Sequence, residues 1–299
     1  MFPFKFWNKG AENNKGVVYK YKSIIVKERS DSFMNSSRLI RNAADRLPIL
    51  FCLDVSASMA VRRDKATSPP ITLLNEAVKQ LLNQLRDELP MAEVAFLTFS
   101  EQDVDYVPFQ SLSDLLDLEF HVVADQNGTS LAHAVRKSIE KIEEERRELE
   151  RLMVKNYAPF LIIVTDGDEG DKQQSDIQQA QDEIYAHTRS RSGERTLIVP
   201  FIIGVGENVS LDKLKGYSRG FEEGAFRLKN RAQIQAFRAI FKIVGDSIGS
   251  SVDLNADRDT FLDRLGNRVR EEIGKAELSE QIRDMWDHFV GGEAMGDDE

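Results

Sequence analysis

The sequence predicts an α/β protein: a doubly wound, mostly parallel six-stranded sheet with one antiparallel edge strand, extended at its C-terminus by helices. Three observations lead there. Short β-rich segments alternate with longer segments of helical periodicity through the middle of the chain, the pattern of a parallel sheet covered on both faces. Two of the strand segments, PFLIIVTD and TLIVPFIIG, are near-continuous apolar runs, as strands buried on both faces require. Between EVAFLTFS and DVDYVPFQ lie only Glu101 and Gln102. A parallel pair needs a crossover of a dozen or more residues, so these two strands form an antiparallel hairpin.

In chain order the strands are expected at Pro48–Val55, Glu93–Ser100, Asp103–Gln110, Pro159–Asp166, Thr196–Gly204 and Ala225–Lys229. Helices fill the gaps at Ile71–Leu89, Ser130–Lys155, Lys172–Arg191, Leu211–Tyr217 and Arg231–Ser250. In the second of these, Leu131, Val135, Ile139 and Ile142 recur at helical spacing and face the sheet. The EEERRELER run that follows reads as a solvated extension, with a partner-binding arm as the alternative. Beyond Val252, one apolar stripe comprises Phe261, Leu265, Val269 and Ile273, and a second Leu278, Ile282, Trp286 and Phe289. They predict two short amphipathic helices separated near Gly274, packed on their own protein or docked on another subunit. The chain thus divides into a basic N-terminal extension (1–44), an α/β domain (45–252), an amphipathic helical extension (253–290) and a disordered acidic tail (291–299).

Composition narrows the function. A hydrophobic content of 41% with 30% charged residues describes an ordinary soluble protein. No apolar run approaches the roughly 20 residues that span a bilayer, so no membrane association is expected. The start, MFPFKFWNKG, lacks a continuous apolar core and a small-residue cleavage site, so no signal peptide is read. The single cysteine, Cys52, is expected to be buried and fits a reducing cytoplasm. Net charge is −10, distributed as +6 over residues 1–46, −7 over 255–299 and −9 between. An acidic centre argues against nucleic acid, whose phosphates need clustered Lys and Arg. The basic N-terminal segment reads as solvated, with contact to an acidic partner or to the chain's own acidic tail as the alternatives.

The residues that carry chemistry converge on the carboxyl edge of the sheet, where ligands sit in open α/β folds. The first strand ends in LDVSAS, giving Asp54, Ser56 and Ser58 in one turn. The fourth ends in IIVTDGDEG, placing Asp166 at the same edge, and QNGTSLAHAV sets Thr129 between a glycine turn and a helix. Two carboxylates and three hydroxyls make an all-oxygen set, suited to a hard cation. Asp168, Glu169 and Asp171 read as a solvated acidic loop opening the next helix, and Arg62, Arg63 and Lys65 could attract an acidic partner.

DVSAS, NGTSL and VTDG together resemble the metal-ion-dependent adhesion site of von Willebrand factor A domains, over roughly residues 45–252. The resemblance implies that Ser56, Ser58 and Thr129 ligate Mg2+ (or Mn2+ or Ca2+) directly. Asp54 and Asp166 would act through water or hydrogen bonds to those ligands. Within that family, RLPILFCLDVSASM, EVAFLTFS and FRAIFKIVGDSIGSS are similar to bacterial TerY-type tellurium-resistance and stress proteins. That likeness implies a cytoplasmic scaffold in stress response or phage defence, with a kinase, phosphatase or ATPase of the same operon as partner. The chain departs from the pattern in the inserted VRRDKATSPP and in residues 1–44 and 255–299, which have no counterpart.

The function expected is metal-dependent protein–protein interaction, a partner Asp or Glu completing the cation's shell. The alternative is a structural subunit or accessory of an AAA+ ATPase with an incidental metal site. A metal-dependent hydrolase is less favoured, and no catalytic residue is assigned. Ser56 stands where a haloacid-dehalogenase-type phosphatase carries its second aspartate. A serine nucleophile would need a base, yet His121, His133, His187 and His288 fall in no motif, with His133 read as a packed or surface residue. No Cys/His grouping suits zinc, and no phosphate loop of GxxxxGK[ST] form is present.

Overall fold

β-branched and aromatic side chains concentrate in the segments that become strands, and the computed structural model of the chain assembles them into two sheets. It describes residues 17–20, 24–28, 45–61, 69–89, 91–101, 104–112, 121–124, 128–166, 174–189, 197–205, 209–221 and 224–228, with Gly266, Asn267, Arg270, Glu271, Gly274 and Lys275 further on. Among these residues the main sheet holds β3 (Leu47–Asp54), β4 (Ala92–Phe99), β5 (Val104–Ser111), β7 (Phe160–Thr165), β8 (Val199–Val205) and β9 (Ala225–Leu228). Their order is β5-β4-β3-β7-β8-β9. Every neighbouring pair is parallel except β4–β5, which is antiparallel with an irregularity between Val94 and Phe96. This is the sheet expected from the apolar runs and the two-residue link.

Helix α1 (Pro70–Glu88) covers one face; α2 (Leu131–Arg151) and α3 (Gln174–Thr188) cover the other, with the short α4 (Leu211–Lys215) beside them. The alternation of β3 decides which residue meets which helix. Ile49, Phe51 and Leu53 join Leu74, Val78, Leu81, Leu82 and Leu85 of α1. Leu50 and Cys52 join Leu131, Val135, Ile139 and Ile142 of α2 and Ile184 of α3. Pro70 opens α1 at the first helical position, where its missing N–H goes unneeded.

α2 has 21 residues, about 31 Å at 1.5 Å per residue, so it outruns the strands it covers. Its far end neutralises its own charges at helical spacing: Lys137–Glu140 at 2.7 Å, Lys141–Glu144 and Arg151–Glu148 at 2.6 Å, and Arg146 with Glu143 and Glu150. Leu149 stays buried beneath that charged surface. The run closes on Met153, whose backbone is left-handed (φ 56°).

The second sheet has no counterpart among the strands expected from the sequence. β1 (Val17–Lys20) and β2 (Ile24–Glu28) form an antiparallel hairpin, and β2 pairs with the two-residue β6 (His121–Val122) through Ile24↔Val122 and Ile25↔His121. On the other side of β6, the Asn75 side chain of α1 takes the place of a strand. Its Oδ1 accepts the Val122 N–H at 2.7 Å and its Nδ2 donates to the Val122 carbonyl at 2.9 Å. Residues 1–44, expected as an extension, therefore contribute a hairpin built on Val17, Val18, Tyr19, Ile24, Ile25 and Val26, residue types that favour strands.

A further expectation is refined. The fourth helix ends at Lys215 and tightens into a 3-10 turn over Gly216–Ser218. Gly274 is itself helical, as is Lys275, which pairs with Glu271 at 2.9 Å; the residues around them that would show a break lie outside the described residues. The helix expected at Arg231–Ser250, the apolar stripe positions and the tail at 291–299 lie outside the described residues. Among the described residues no helix is long and apolar enough to cross a membrane.

Candidate metal centre

β3 lies where the strand order turns: the chain leaves it toward β4 and β5, then returns to its other flank with β7. Loops from such a point diverge and leave a crevice at the carboxyl ends of the strands. The five candidate side chains ride on β3, β7 and the segment held to β4, three adjacent strands of the sheet.

Asp54 is the last residue of β3 and is fully buried. Its Oδ1 accepts the Ser56 N–H at 2.9 Å and its Oδ2 accepts the Thr165 hydroxyl at 2.7 Å. Burial pushes its carboxyl up to about 6; hydrogen bonds from Ser56 and Thr165 pull the other way, and the negative charge of Asp166 adds to the rise. The carboxylate is thus held in place by neutral donors.

Ser56 has an extended backbone (φ −61°, ψ 154°), and its carbonyl accepts the Met59 N–H at 3.0 Å, starting the 3-10 turn Ala57–Ala60. Fully buried Met59 pins that turn into the core. The result brings the Ser56 and Ser58 hydroxyl oxygens to 2.9 Å, close enough for both to face one ion.

Thr129 reaches the edge by a different route. The Ser130 N–H donates to the Ser100 carbonyl at 3.0 Å, fastening the segment to the end of β4, and α2 starts at once. Gly128 before it is left-handed (φ +71°), and a Cβ there would stand 2.6 Å from the Glu101 Cβ. Gly128→Ala is therefore expected to destabilise the chain by about 1–3 kcal/mol, from the left-handed penalty plus the clash. Urea denaturation checks this; a loss under about 0.5 kcal/mol would show that the turn relaxes freely.

Asp166 follows directly on β7 and is buried, as is Thr129. The structure thus places all five candidates at one edge. It links Asp54 with Ser56, Ser56 with Ser58, and Asp54 electrostatically with Asp166. Among the described residues no three His, Cys, Asp or Glu side chains form a metal-holding group. Residues 62–68 and 167–173, which include Arg62, Arg63, Lys65, Asp168, Glu169 and Asp171, lie outside the described residues, as does His288.

Sequence reasoning missed Thr165 and Asn75. Thr165 stands beside Asp166, but its bond to Asp54 spans 111 positions, and only the β3–β7 register reveals it. Of the histidines, His133 and His121 are exposed, while His187 is buried between α2 and α3 with its Nδ1 3.8 Å from Glu143. Cys52 is buried, and loss of solvation pushes its thiol up to about 12.

Residues 49–239 match the family described as von Willebrand factor type A domain. A search of the curated proteins finds no match. Among solved structures, proximal thread matrix protein 1 from the mussel byssus is similar at 15% identity and TM-score 0.47, over 68% of this chain and 48% of that one. The ArnB paralog VWA2 from Sulfolobus acidocaldarius is similar at 13% and 0.43, over 73% and 48%. A von Willebrand factor type A protein from Catenulispora acidiphila is similar at 13% and 0.47, over 76% and 45%. The chain thus spans about half the length of these relatives. With more than half of its length matched by the family and its sheet ordered as described, the chain belongs to the von Willebrand factor type A domain family.

Proposed function

We propose that this chain is a divalent-cation-dependent protein-interaction module, in which Asp54, Ser56, Ser58, Thr129 and Asp166 hold Mg2+ (or Mn2+ or Ca2+) and a partner protein presents an Asp or Glu to the ion. The observation that carries the reading is the buried Asp54 carboxylate, braced by the Ser56 N–H and the Thr165 hydroxyl, beside a pair of serine hydroxyls 2.9 Å apart. Its surroundings fit a cation. Hard divalent ions take oxygen ligands, and a buried carboxylate raised by burial and by Asp166 gains most from a positive charge. A bound ion would supply that charge and open coordination positions for a partner's carboxylate. The protein's own part is positioning: Met59 fixes the serine turn, Gly128 and Ser130 set Thr129, and Thr165 orients Asp54.

The role proposed is not enzymatic. The Ser56 hydroxyl is shared between the Ser58 hydroxyl and the buried Asp54 carboxylate, which serves the ion rather than proton transfer, and His133 is exposed on α2. A phosphatase and ATPase assay on the purified chain tests this. We place the module in the bacterial cytoplasm, as a TerY-like scaffold of stress or phage defence with a kinase, phosphatase or ATPase as partner. That context rests on the similarity of RLPILFCLDVSASM and EVAFLTFS to such proteins.

Thermal unfolding in EDTA and in Mg2+ tests the site. At a hundredfold excess over Kd the ion adds about 2.7 kcal/mol, a Tm rise of about 5–10 °C for a domain this size. Ser56→Ala is expected to abolish the rise, and to lower the Tm in EDTA by a few degrees because the buried hydroxyl's bonds to Asp54 and Ser58 are lost. Equal Tm values in EDTA, Mg2+, Mn2+ and Ca2+ would sink the reading. Partner capture with and without EDTA, for the parent chain and for Asp54→Ala, then separates metal-dependent binding from an incidental site.

A further inference from the structure

We infer that Asn75 is a positioning residue for the metal site and that the N-terminal hairpin acts with it: the two grip β6 from opposite edges and so fix the segment that delivers Thr129. The inference rests on the reading of the site as a cation site. Val122 donates its N–H to the Asn75 side chain and accepts from it at its carbonyl. In an antiparallel ladder, residues alternate between bonding toward and away from a given neighbour. Val122 therefore faces away from β2, and the Ile25↔His121 pair carries the β2–β6 ladder.

Asn75 is well placed for the role because it stands on the helix between the two donor loops. α1 packs against the 3-10 turn that follows Ser56 and contains Ser58. The same helix also holds β6, from which the chain runs on to Gly128 and Thr129. A third bond, from Asn75 Nδ2 to the Ile71 carbonyl at 3.0 Å, locks the amide orientation to its own helix. Residues 128–130 are fastened through Ser130 to Ser100, and β6, which precedes them in the chain, is held through Val122 to Asn75 and β2. Hairpin docking and cation binding then favour the same arrangement of β6. By linkage each strengthens the other by the same factor.

The experiment uses the full chain, with Mn2+ as the probe. Calorimetric titration compares the parent with Asn75→Ala, Asn75→Asp and Ile25→Pro, the last removing one N–H from the β2–β6 ladder outside the α/β domain. Asn75→Ala and Ile25→Pro are expected to bind Mn2+ about fivefold or more weakly at unchanged stoichiometry. Asn75→Asp, which accepts from Val122 but cannot donate to it, is expected to fall between. Hydrogen exchange on the unmutated chain needs no variant to fold: Mn2+ is expected to slow amide exchange within residues 24–28. Parental affinity in Asn75→Ala and Ile25→Pro, or exchange in 24–28 indifferent to Mn2+, overturns the coupling alone. Failure of the parent chain to bind Mn2+ overturns the site and the coupling together.

Discussion

Asp54→Asn is expected to make the chain more stable than its parent in EDTA, and to lose that advantage in Mg2+. The carboxylate is fully buried, and burial raises its pKa to about 6. Asparagine has the same shape and can keep both contacts, its oxygen accepting the Ser56 N–H and its NH2 donating to the Thr165 hydroxyl. It removes the charge that the interior solvates poorly. Because the folded-state value lies above the unfolded one, ionised Asp54 opposes folding at neutral pH. The opposition fades as pH falls through about 6 toward the unfolded range. Its size at pH 7.5 is on the order of 3 kcal/mol, from the difference between the two pKa values. Urea denaturation of parent and variant should therefore show a gap at pH 7.5 that roughly halves at pH 5. Saturating Mg2+ closes or reverses the gap, since the parent alone gains from the ion. Equal responses of the two chains to Mg2+ would remove Asp54 from the site.

Phe201→Ala should produce the largest loss of stability, about 3–5 kcal/mol. Phe201 is fully buried in β8, stacked on Phe160 at 6.0 Å and edge-on to Phe221 at 5.4 Å and Phe226 at 6.5 Å. It joins strands β7, β8 and β9 on the face covered by α1, so truncation leaves a cavity bounded by three other rings. Domains of this kind have only about 5–15 kcal/mol in total, and a Tm decrease on the order of 10 °C follows. Calorimetry checks it, and Phe201→Leu should cost less than half as much. No candidate donor rides on β8, so Mn2+ affinity per folded molecule should stay at the parent value. A matching loss of affinity would show that the aromatic layer also shapes the metal edge.

The main sheet was legible because each strand announced itself locally. PFLIIVTD could be little other than a strand buried on both faces, and Glu101–Gln102 was too short for anything but a hairpin. The donor residues were legible for the same reason, since Asp54, Ser56 and Ser58 share one turn. What escaped were relations between distant segments. Asn75 looks like an ordinary polar residue in an amphipathic helix, and only its position against Val122, 47 residues on, gives it a role. The β1–β2 hairpin escaped because residues 1–46 read first by their net positive charge, and a charge count hides the short Val17–Tyr19 and Ile24–Val26 runs. Its closing partner, β6, has two residues, too few to carry a pattern.

The burial of Cys52 has a practical consequence for labelling this chain. With the thiol pushed up to about 12, on the order of one molecule in a hundred thousand carries the thiolate at neutral pH, and that sulfur lies beneath α2. Alkylating dyes and spin labels will pass over it while the fold is intact. A cysteine introduced at Val61, 54% exposed just past the serine turn, or at Met153, 93% exposed beyond the end of α2, would then be the chain's one reactive handle. The first would report on partner arrival at the metal edge, and the second would serve as its distant control.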